Sequence, residues 1–467
     1  MESKYRFFAD VLQGDYEPSE ACAMTEITLD EADLASLSAT LISGDVERSG
    51  VLFASQARRS DGSLRLLVRE YELPRAEEHI TQEFARVVLK PEFVARVAKR
   101  ARREGLSLIF AHSHPGLSSP RFSATDDEGE RHLAAFLERR HQAGPHASLV
   151  ISLGGVRARQ LGGKTEVPVV SLGENRKVLS GCDDESGPTS DVFDRQVRAF
   201  GPAGQRAIAR LRVGIVGLGG TGSIVAEQLA HLGVRSFILI DPDTVESTNL
   251  NRLVGASPRD IGVPKVDVAA RLVSAVASDV AIVPLQGDII RAQTALALRD
   301  ADLVFGCTDS HGSRAVLQQI AYQYLIPCID LGTTITTDGV SVSGVFGRVQ
   351  LVAPGHGCFT CSDLLDPEEV RRDMMNAFER KLDPYIQGIR EPAPSVISLN
   401  GTVASLAVTM FMAYVTGVPS PARYLLYNAA TSSLRSARTS PKADCYICAR
   451  SGVFARGDSQ MLFARQD

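Results

Sequence analysis

Residues 211–265 read LRVGIVGLGGTGSIVAEQLAHLGVRSFILIDPDTVESTNLNRLVGASPRDIGVPK. An apolar run at 213–216 ends in Gly217-Leu218-Gly219-Gly220-Thr221-Gly222, and a helical pattern follows through Leu232. That order predicts strand, glycine turn and helix. Glycine lets the backbone approach a phosphate, and the free N–H groups and dipole of the following helix stabilise its charge. Gly217, Gly219 and Gly222 are therefore candidate nucleotide-binding residues. A second strand at 237–240 delivers Asp241 and Asp243 at its carboxyl end, where an acid accepts hydrogen bonds from a ribose. This much fits any nucleotide or dinucleotide binder, an NAD-dependent dehydrogenase included. Asn249-Leu250-Asn251-Arg252 and Gly262-Val263-Pro264-Lys265 argue for a triphosphate instead. Fixed Arg and Lys charges stabilise the anionic transition state when a carboxylate attacks the α-phosphate and pyrophosphate leaves, and a nicotinamide needs neither.

From Phe193 to Cys448 the sequence resembles the ThiF-type adenylating family, which includes ubiquitin-activating enzymes and activators of sulfur-carrier proteins. The motifs that carry the resemblance are FDRQ at 193–196, GLGGTG, DPDTVESTNLNR, GVPK and CTDS at 307–310. The resemblance implies a doubly wound, Rossmann-like adenylation domain. It assigns Asp241 to the ribose, Asn249, Arg252 and Lys265 to the phosphates of ATP, and Asp309 to magnesium. Arg195 resembles the arginine that reaches into the partner subunit's ATP site, which implies a homodimer.

With 467 residues the chain has room for two to four domains, and 44% hydrophobic with 22% charged residues is the composition of a soluble globular protein. A net charge of -5 gives no electrostatic case for a nucleic-acid partner. Residues 1–20 have no apolar core of signal-peptide length, so a cytoplasmic location is expected. The stretch 401–417, GTVASLAVTMFMAYVTG, is shorter than the roughly 20 apolar residues of a membrane span and reads as a buried helix.

Four of the eight cysteines form two CxxC pairs, Cys358/Cys361 and Cys445/Cys448. Two matched pairs supply the four thiolates of a closed structural zinc site, which suits them better than a redox dithiol. The adenylating family carries a structural zinc in the same place.

Ahead of the nucleotide unit, 29–42 has helical spacing, 64–72 and 106–111 read as strands, and 90–104 as a helix. The strand at 106–111 runs into His112-Ser113-His114-Pro115, and Ser123-Ala124-Thr125-Asp126 follows after a loop. Histidines at i and i+2 of a strand share a face, and a carboxylate from the next helix start completes three ligands, leaving a fourth zinc position for water. Such water attacks an amide carbonyl once a base takes its proton. Glu47 is the candidate base, Ser123 the candidate oxyanion donor, and His112, His114 and Asp126 the ligands, with Asp127 the neighbouring alternative to Asp126. The bland reading is a polar turn and a capped helix. HxHP, SxxD and the upstream ERSGVLF together resemble the JAMM metalloproteases of the JAB/MPN fold, over roughly residues 24–163. This resemblance implies an α/β domain that cleaves ubiquitin-like proteins and holds a second, catalytic zinc.

Residues 171–190 lose hydrophobic periodicity and gain Gly, Ser, Asp and Pro. The expected organisation is a JAB/MPN domain at 1–172, an exposed linker at 173–190 and a ThiF-type domain at 191–467, two enzymes tethered in series. The expected function is adenylation of the C-terminus of a ubiquitin-like protein, with peptidase processing of that protein and a ubiquitin-conjugating-type protein as a further partner. The alternative is activation of a sulfur carrier for cofactor biosynthesis. No cysteine occurs between Cys361 and Cys445, where ubiquitin-activating members commonly keep their nucleophile, and Cys307 and Cys328 lie in apolar segments. Two routes stay open: direct transfer from the adenylate, or an oxyester on Ser395, a residue that otherwise simply starts a helix.

Overall fold

The structure, a computed structural model, describes residues 24–466 except 85, 117, 141–143, 181–190, 338–340, 377 and 380–393. The amino-terminal half contains β1 (Met24–Asp30), α1 (Glu31–Ile42), β2 (Ser49–Arg58), β3 (Leu64–Glu72), a ribbon of β4 (His79–Glu83) and β5 (Arg86–Leu89), α2 (Pro91–Glu104), β6 (Ser107–Ser113) and α3 (Ala124–Glu138). It continues with β7 (Ala147–Ser152), β8 (Gly155–Gln160), β9 (Glu166–Val167), β10 (Val169–Leu172) and β11 (Arg176–Ser180). Nine of these strands form one sheet in the order β11-β10-β1-β3-β2-β6-β7-β8-β9. Leu37 and Leu41 of α1 join the core on one face, while Phe93, Val97 and Ala101 of α2 and Ala134 and Leu137 of α3 join the core on the other.

The second half contains α4 (Asp194–Arg210), β12 (Arg212–Val216), α5 (Gly222–Leu232), β13 (Ser236–Asp241), α6 (Lys265–Val276), β14 (Ala281–Gln286), α7 (Ala292–Leu296), β15 (Leu303–Gly306) and α8 (His311–Gln323). After these come β16 (Cys328–Thr337), β17 (Val342–Val352), α9 (Pro367–Met374), α10 (Ile397–Thr416), β18 (Tyr424–Asn428) and β19 (Ser433–Ser436). The sheet runs β14-β13-β12-β15-β16-β17-β18-β19, parallel as far as β16 and antiparallel beyond it. The strand order reverses at β12 and β15, so their carboxyl ends open the crevice where doubly wound sheets bind nucleotides.

Two boundaries differ from those read in the sequence. The helix read at 401–417 begins at Ile397, and its 20 residues are long and apolar enough to cross a membrane by length and composition. Eleven of them are buried, among them Val403, Phe411 and Tyr414, in one core with β12, β15 and β16. The exposed linker is also displaced. Ser171 and Leu172 are buried in β10, and β11 pairs with β10 through Leu172↔Arg176, while 181–190 lie outside the described residues.

The two halves are packed together, not merely tethered. Ala57, Leu67, Val170 and Leu172 of the first sheet belong to the same apolar cluster as Ile320, Tyr324 and Phe454 of the second half. Beside it lies a buried charge cluster: Arg65 bonds Glu26 at 3.1 Å and Asp302 at 3.2 Å, and Asp302 also draws Arg59 (3.5 Å) and Arg176 (3.8 Å). A composition shift marks where periodicity fades, and apolar strand residues that face another domain leave no such mark.

Candidate functional site

The first site forms where β6 ends. Ser49 pairs with His112 across β2 and β6, Ser113 N donates to Arg48 O at 2.9 Å, and Arg48 N donates to Ser113 Oγ at 3.0 Å. This lacing brings Glu47 beside His114, with Oε1 3.3 Å from Nε2. His112 Nε2 lies 3.2 Å from Asp126 Oδ1, and His114 Nε2 lies 3.6 Å from Asp126 Oδ2. Tetrahedral ligands held at about 2.0–2.1 Å from a zinc ion are separated by ~3.4 Å, so the three side chains fit one. His112 Nε2 is buried with no partner in hydrogen-bonding geometry, an atom that such an ion satisfies.

The carboxylates beside the histidines are set by different surroundings. Burial opposes the charge of Asp126, but His112 and Ser123 outweigh it and hold the carboxyl well below the usual range. Burial pushes the Glu47 carboxyl up to about 7, the range of a general base at neutral pH. Asp127 turns away to Arg159 at 2.7 Å. Ser123, the expected oxyanion donor, is the N-cap of α3: its Oγ donates to Asp126 Oδ2 at 2.8 Å and accepts from Asp126 N at 3.2 Å, so here its proton orients a candidate ligand. A cavity of about 510 Å³ adjoins the site, with Glu47, His112 and Asp126 in its lining and Val87, Leu89 and Leu133 among its walls.

The second site surrounds the glycine turn. Gly217 has φ +86°, and a Cβ there would lie 2.6 Å from Cys307 O, while one on Gly222 would collide with Gly217 O. Packing thus requires both glycines. A Cβ on Gly219 meets nothing within 4 Å, so that position faces open space over the turn.

The two acids have separate roles. Asp241 is 4% exposed, with Oδ2 accepting from Leu218 N at 2.6 Å and Oδ1 from Asp243 N at 2.9 Å, so it braces the turn. Asp243 is the exposed acid, and Lys265, the first residue of α6, bonds it at 2.7 Å. Asp241, the acid expected at the ribose, is thus engaged by two backbone donors, while Asp243 beside it is open to solvent.

Asn249 is buried, and its Oδ1 accepts from Glu246 N at 3.1 Å, closing a short turn. Arg252 donates to Thr248 O at 2.6 Å while its stem lies against Gly220. Asp309 is exposed just past β15. Arg195 is exposed in the first turn of α4, whose Gln196 bonds His231 O at the far end of α5. Eleven residues at 1.5 Å each make α5 roughly 16 Å long, which keeps Arg195 away from the turn of its own chain.

Ser395 precedes α10, half-buried. Its Oγ accepts from Asn400 Nδ2 at 3.0 Å, and among the described residues no carboxylate or imidazole bonds it. Burial pushes the thiols of Cys307 and Cys328 well above the ordinary range, against a thioester on either. Cys182 lies outside the described residues.

The four paired cysteines converge. Sγ–Sγ distances are 3.7 Å for Cys358–Cys361, 3.5 Å for Cys358–Cys445 and 3.4 Å for Cys361–Cys448. Thiolates at about 2.3 Å from zinc are separated by ~3.8 Å in a tetrahedron, so this set fits a structural zinc.

One charged group was missed in sequence. Asp330, fully buried in β16, receives Arg314 at 3.3 Å and Arg348 at shorter range, and Arg314 also donates to Thr308 O at 2.7 Å beside Asp309. A lone acid inside the apolar run IPCIDLG was its available signal.

The model of the ThiF family matches residues 193–447. Ubiquitin-like modifier-activating enzyme 5 of Oryza sativa subsp. japonica is 31% identical over 247 residues, 50% of this chain and 54% of that protein. The chain thus spans about half the length of this curated relative. Molybdopterin-synthase adenylyltransferase of Escherichia coli (strain K12) is 29% identical over 259 residues, 55% of this chain and 95% of that enzyme. A solved structure of Escherichia coli MccB with ATP superposes with a TM-score of 0.45 and 19% identity, covering 56% of this chain and 75% of the other. With more than half of its residues matched by the family's model, the chain belongs to the ThiF family.

Proposed function

We propose that the ThiF region adenylates the C-terminal carboxylate of a ubiquitin-like protein, and that the amino-terminal half is a JAMM-type zinc peptidase that processes the same protein, both in the cytoplasm. The observation that carries the adenylation reading is the placement of Arg252 against the glycine turn, with Lys265, Asp243 and Asp309 around it. In the reaction a carboxylate oxygen of the substrate attacks the α-phosphorus of ATP, the bond to the β-phosphate breaks, and pyrophosphate leaves. Arg252 and Lys265 stabilise the charge that accumulates on the phosphates. Asp243 holds the ribose, a role that releases Lys265 from its ion pair toward the phosphates. Asp309 would hold magnesium, which would supply further charge neutralisation. Arg195 is proposed to act in the partner subunit of a homodimer, a reading supported by its distance from its own turn.

The peptidase reading rests on the convergence of His112, His114 and Asp126 beside Glu47. A zinc ion held by these residues supplies Lewis acidity for amide hydrolysis. Glu47 takes the proton from the attacking water and delivers it to the leaving amine, and Ser123 holds Asp126 in place.

Activation of a sulfur carrier is the second reading, favoured by the 95% of molybdopterin-synthase adenylyltransferase that the match covers. Transfer to a conjugating-type protein separates it from the first reading. With a ubiquitin-like protein supplied, exchange of labelled pyrophosphate into ATP tests the adenylation step. Asp309→Ala is expected to lower exchange by about 100-fold or more. Equal exchange by the variant and the unmutated chain would contradict the role given to Asp309.

A further inference from the structure

Asn400 lies in the first turn of α10 and is 1% exposed. Burying an amide is costly unless its hydrogen bonds are made, and three separate elements meet this one. Its Nδ2 donates to Ser395 Oγ at 3.0 Å, where the chain returns from the segment preceding α10. Its Oδ1 accepts from Thr333 Oγ1 at 3.2 Å, on β16. The same Nδ2 is packed on Gly220: a Cβ built there would collide with that nitrogen and would lie 3.3 Å from Arg252 Cγ. Farther along, α10 stays against α5, where Gln228 Nε2 bonds Ser405 Oγ at 2.9 Å. One side chain therefore joins the glycine turn, the sheet and the entry to α10, next to a cation assigned to the phosphates.

We propose that Asn400 is a positioning residue of the adenylation reaction. It fixes the glycine turn at Gly220 against Arg252 and, through Ser395, fixes the entry to α10 over the same turn. The Ser395 hydroxyl then has a role other than covalent catalysis: it is the partner that sets the amide's orientation. Because Asn400 acts on the turn that receives phosphate, and not on the ribose acid Asp243, its effect falls on the phosphate part of the nucleotide.

The inference rests on the adenylation reading, and calorimetric titration of the full chain with magnesium-ATP and with adenosine separates the two. Asn400→Asp keeps the size of the side chain and the acceptor for Thr333, but it loses the donor and adds negative charge beside the turn. It is expected to weaken magnesium-ATP at least about tenfold and to leave adenosine within about twofold of the unmutated chain. Gly220→Ala, which forces the same contact from the other side, is expected to give the same split. Should Asn400→Asp not fold, Thr333→Val removes only the hydroxyl that orients the amide and is expected to give the split at about threefold. Unchanged magnesium-ATP affinity in the variants would overturn the inference, as would equal losses for ATP and adenosine, the mark of a merely structural residue. Failure of the unmutated chain to bind magnesium-ATP would overturn the adenylation reading and this inference with it.

Discussion

The site at the end of β6 and the site at the glycine turn are organised in opposite ways. In the first, every functional side chain points inward: His112, His114, Asp126 and Glu47 have their polar atoms within a few ångströms of one another, at 3.2 to 3.6 Å for the contacting pairs. In the second, the cations are turned to groups of the protein itself, Lys265 to Asp243 and Arg252 to Thr248 O. A small, highly charged ion is recognised by converging ligands that must be held together against their own repulsion. A large polyanion is recognised by cations that rest on weaker partners and exchange them for phosphate oxygens. On the proposed reading the first set is preorganised for its ion, whereas the second rearranges when the nucleotide arrives.

The largest effect expected from this contrast is at Glu47. Glu47→Gln preserves size and leaves the three ligands in place, so zinc content is expected to stay at the unmutated level while hydrolysis of a ubiquitin-like precursor falls about 10³-fold. Loss of zinc together with activity would make Glu47 part of the ligand set.

Next in size is the charge cluster between the halves. Asp302→Ala removes the carboxylate that Arg65, Arg59 and Arg176 share and leaves Glu26 as the acid bonded to the buried Arg65, at a cost of about 3 kcal/mol. Urea unfolding followed by separate probes in each half measures it, and the expectation is one shared transition at a lower midpoint. Two separated transitions in the unmutated chain would show that the halves are independent.

A smaller effect belongs to Ser123. Ser123→Ala removes the hydroxyl that holds Asp126 and is expected to weaken zinc about tenfold while leaving turnover of the zinc-saturated chain nearly unchanged. A large fall in turnover at saturating zinc would restore the oxyanion role that the sequence suggested.

Features carried by short spans were legible before the structure. The glycine turn and the two CxxC pairs each declare their chemistry within a few residues, and the HxHP and SxxD segments name side chains that the fold brings together, because spacing along a strand or turn fixes which atoms share a face. What was not legible depends on partners far away in the chain. Asp241 and Asp243 stand at the same strand end, and only the packing of Leu218 over that end shows which of them is consumed by the turn. Asn400 bonds a residue 67 positions earlier, and Arg65 bonds one 237 positions later. Ser171 and Leu172 looked like the start of a linker because their burial is against strands from elsewhere in the molecule.

We propose that one chain both processes and activates a single substrate protein. The most direct test is intact-mass analysis after supplying zinc, magnesium-ATP and a ubiquitin-like protein that carries a short C-terminal extension. The unmutated chain is predicted to release the extension and place AMP on the newly exposed carboxylate. Glu47→Gln is predicted to do neither, yet to adenylate the same protein supplied already trimmed. Adenylation without removal of the extension, or removal of the extension at the unmutated rate by Glu47→Gln, would contradict the claim.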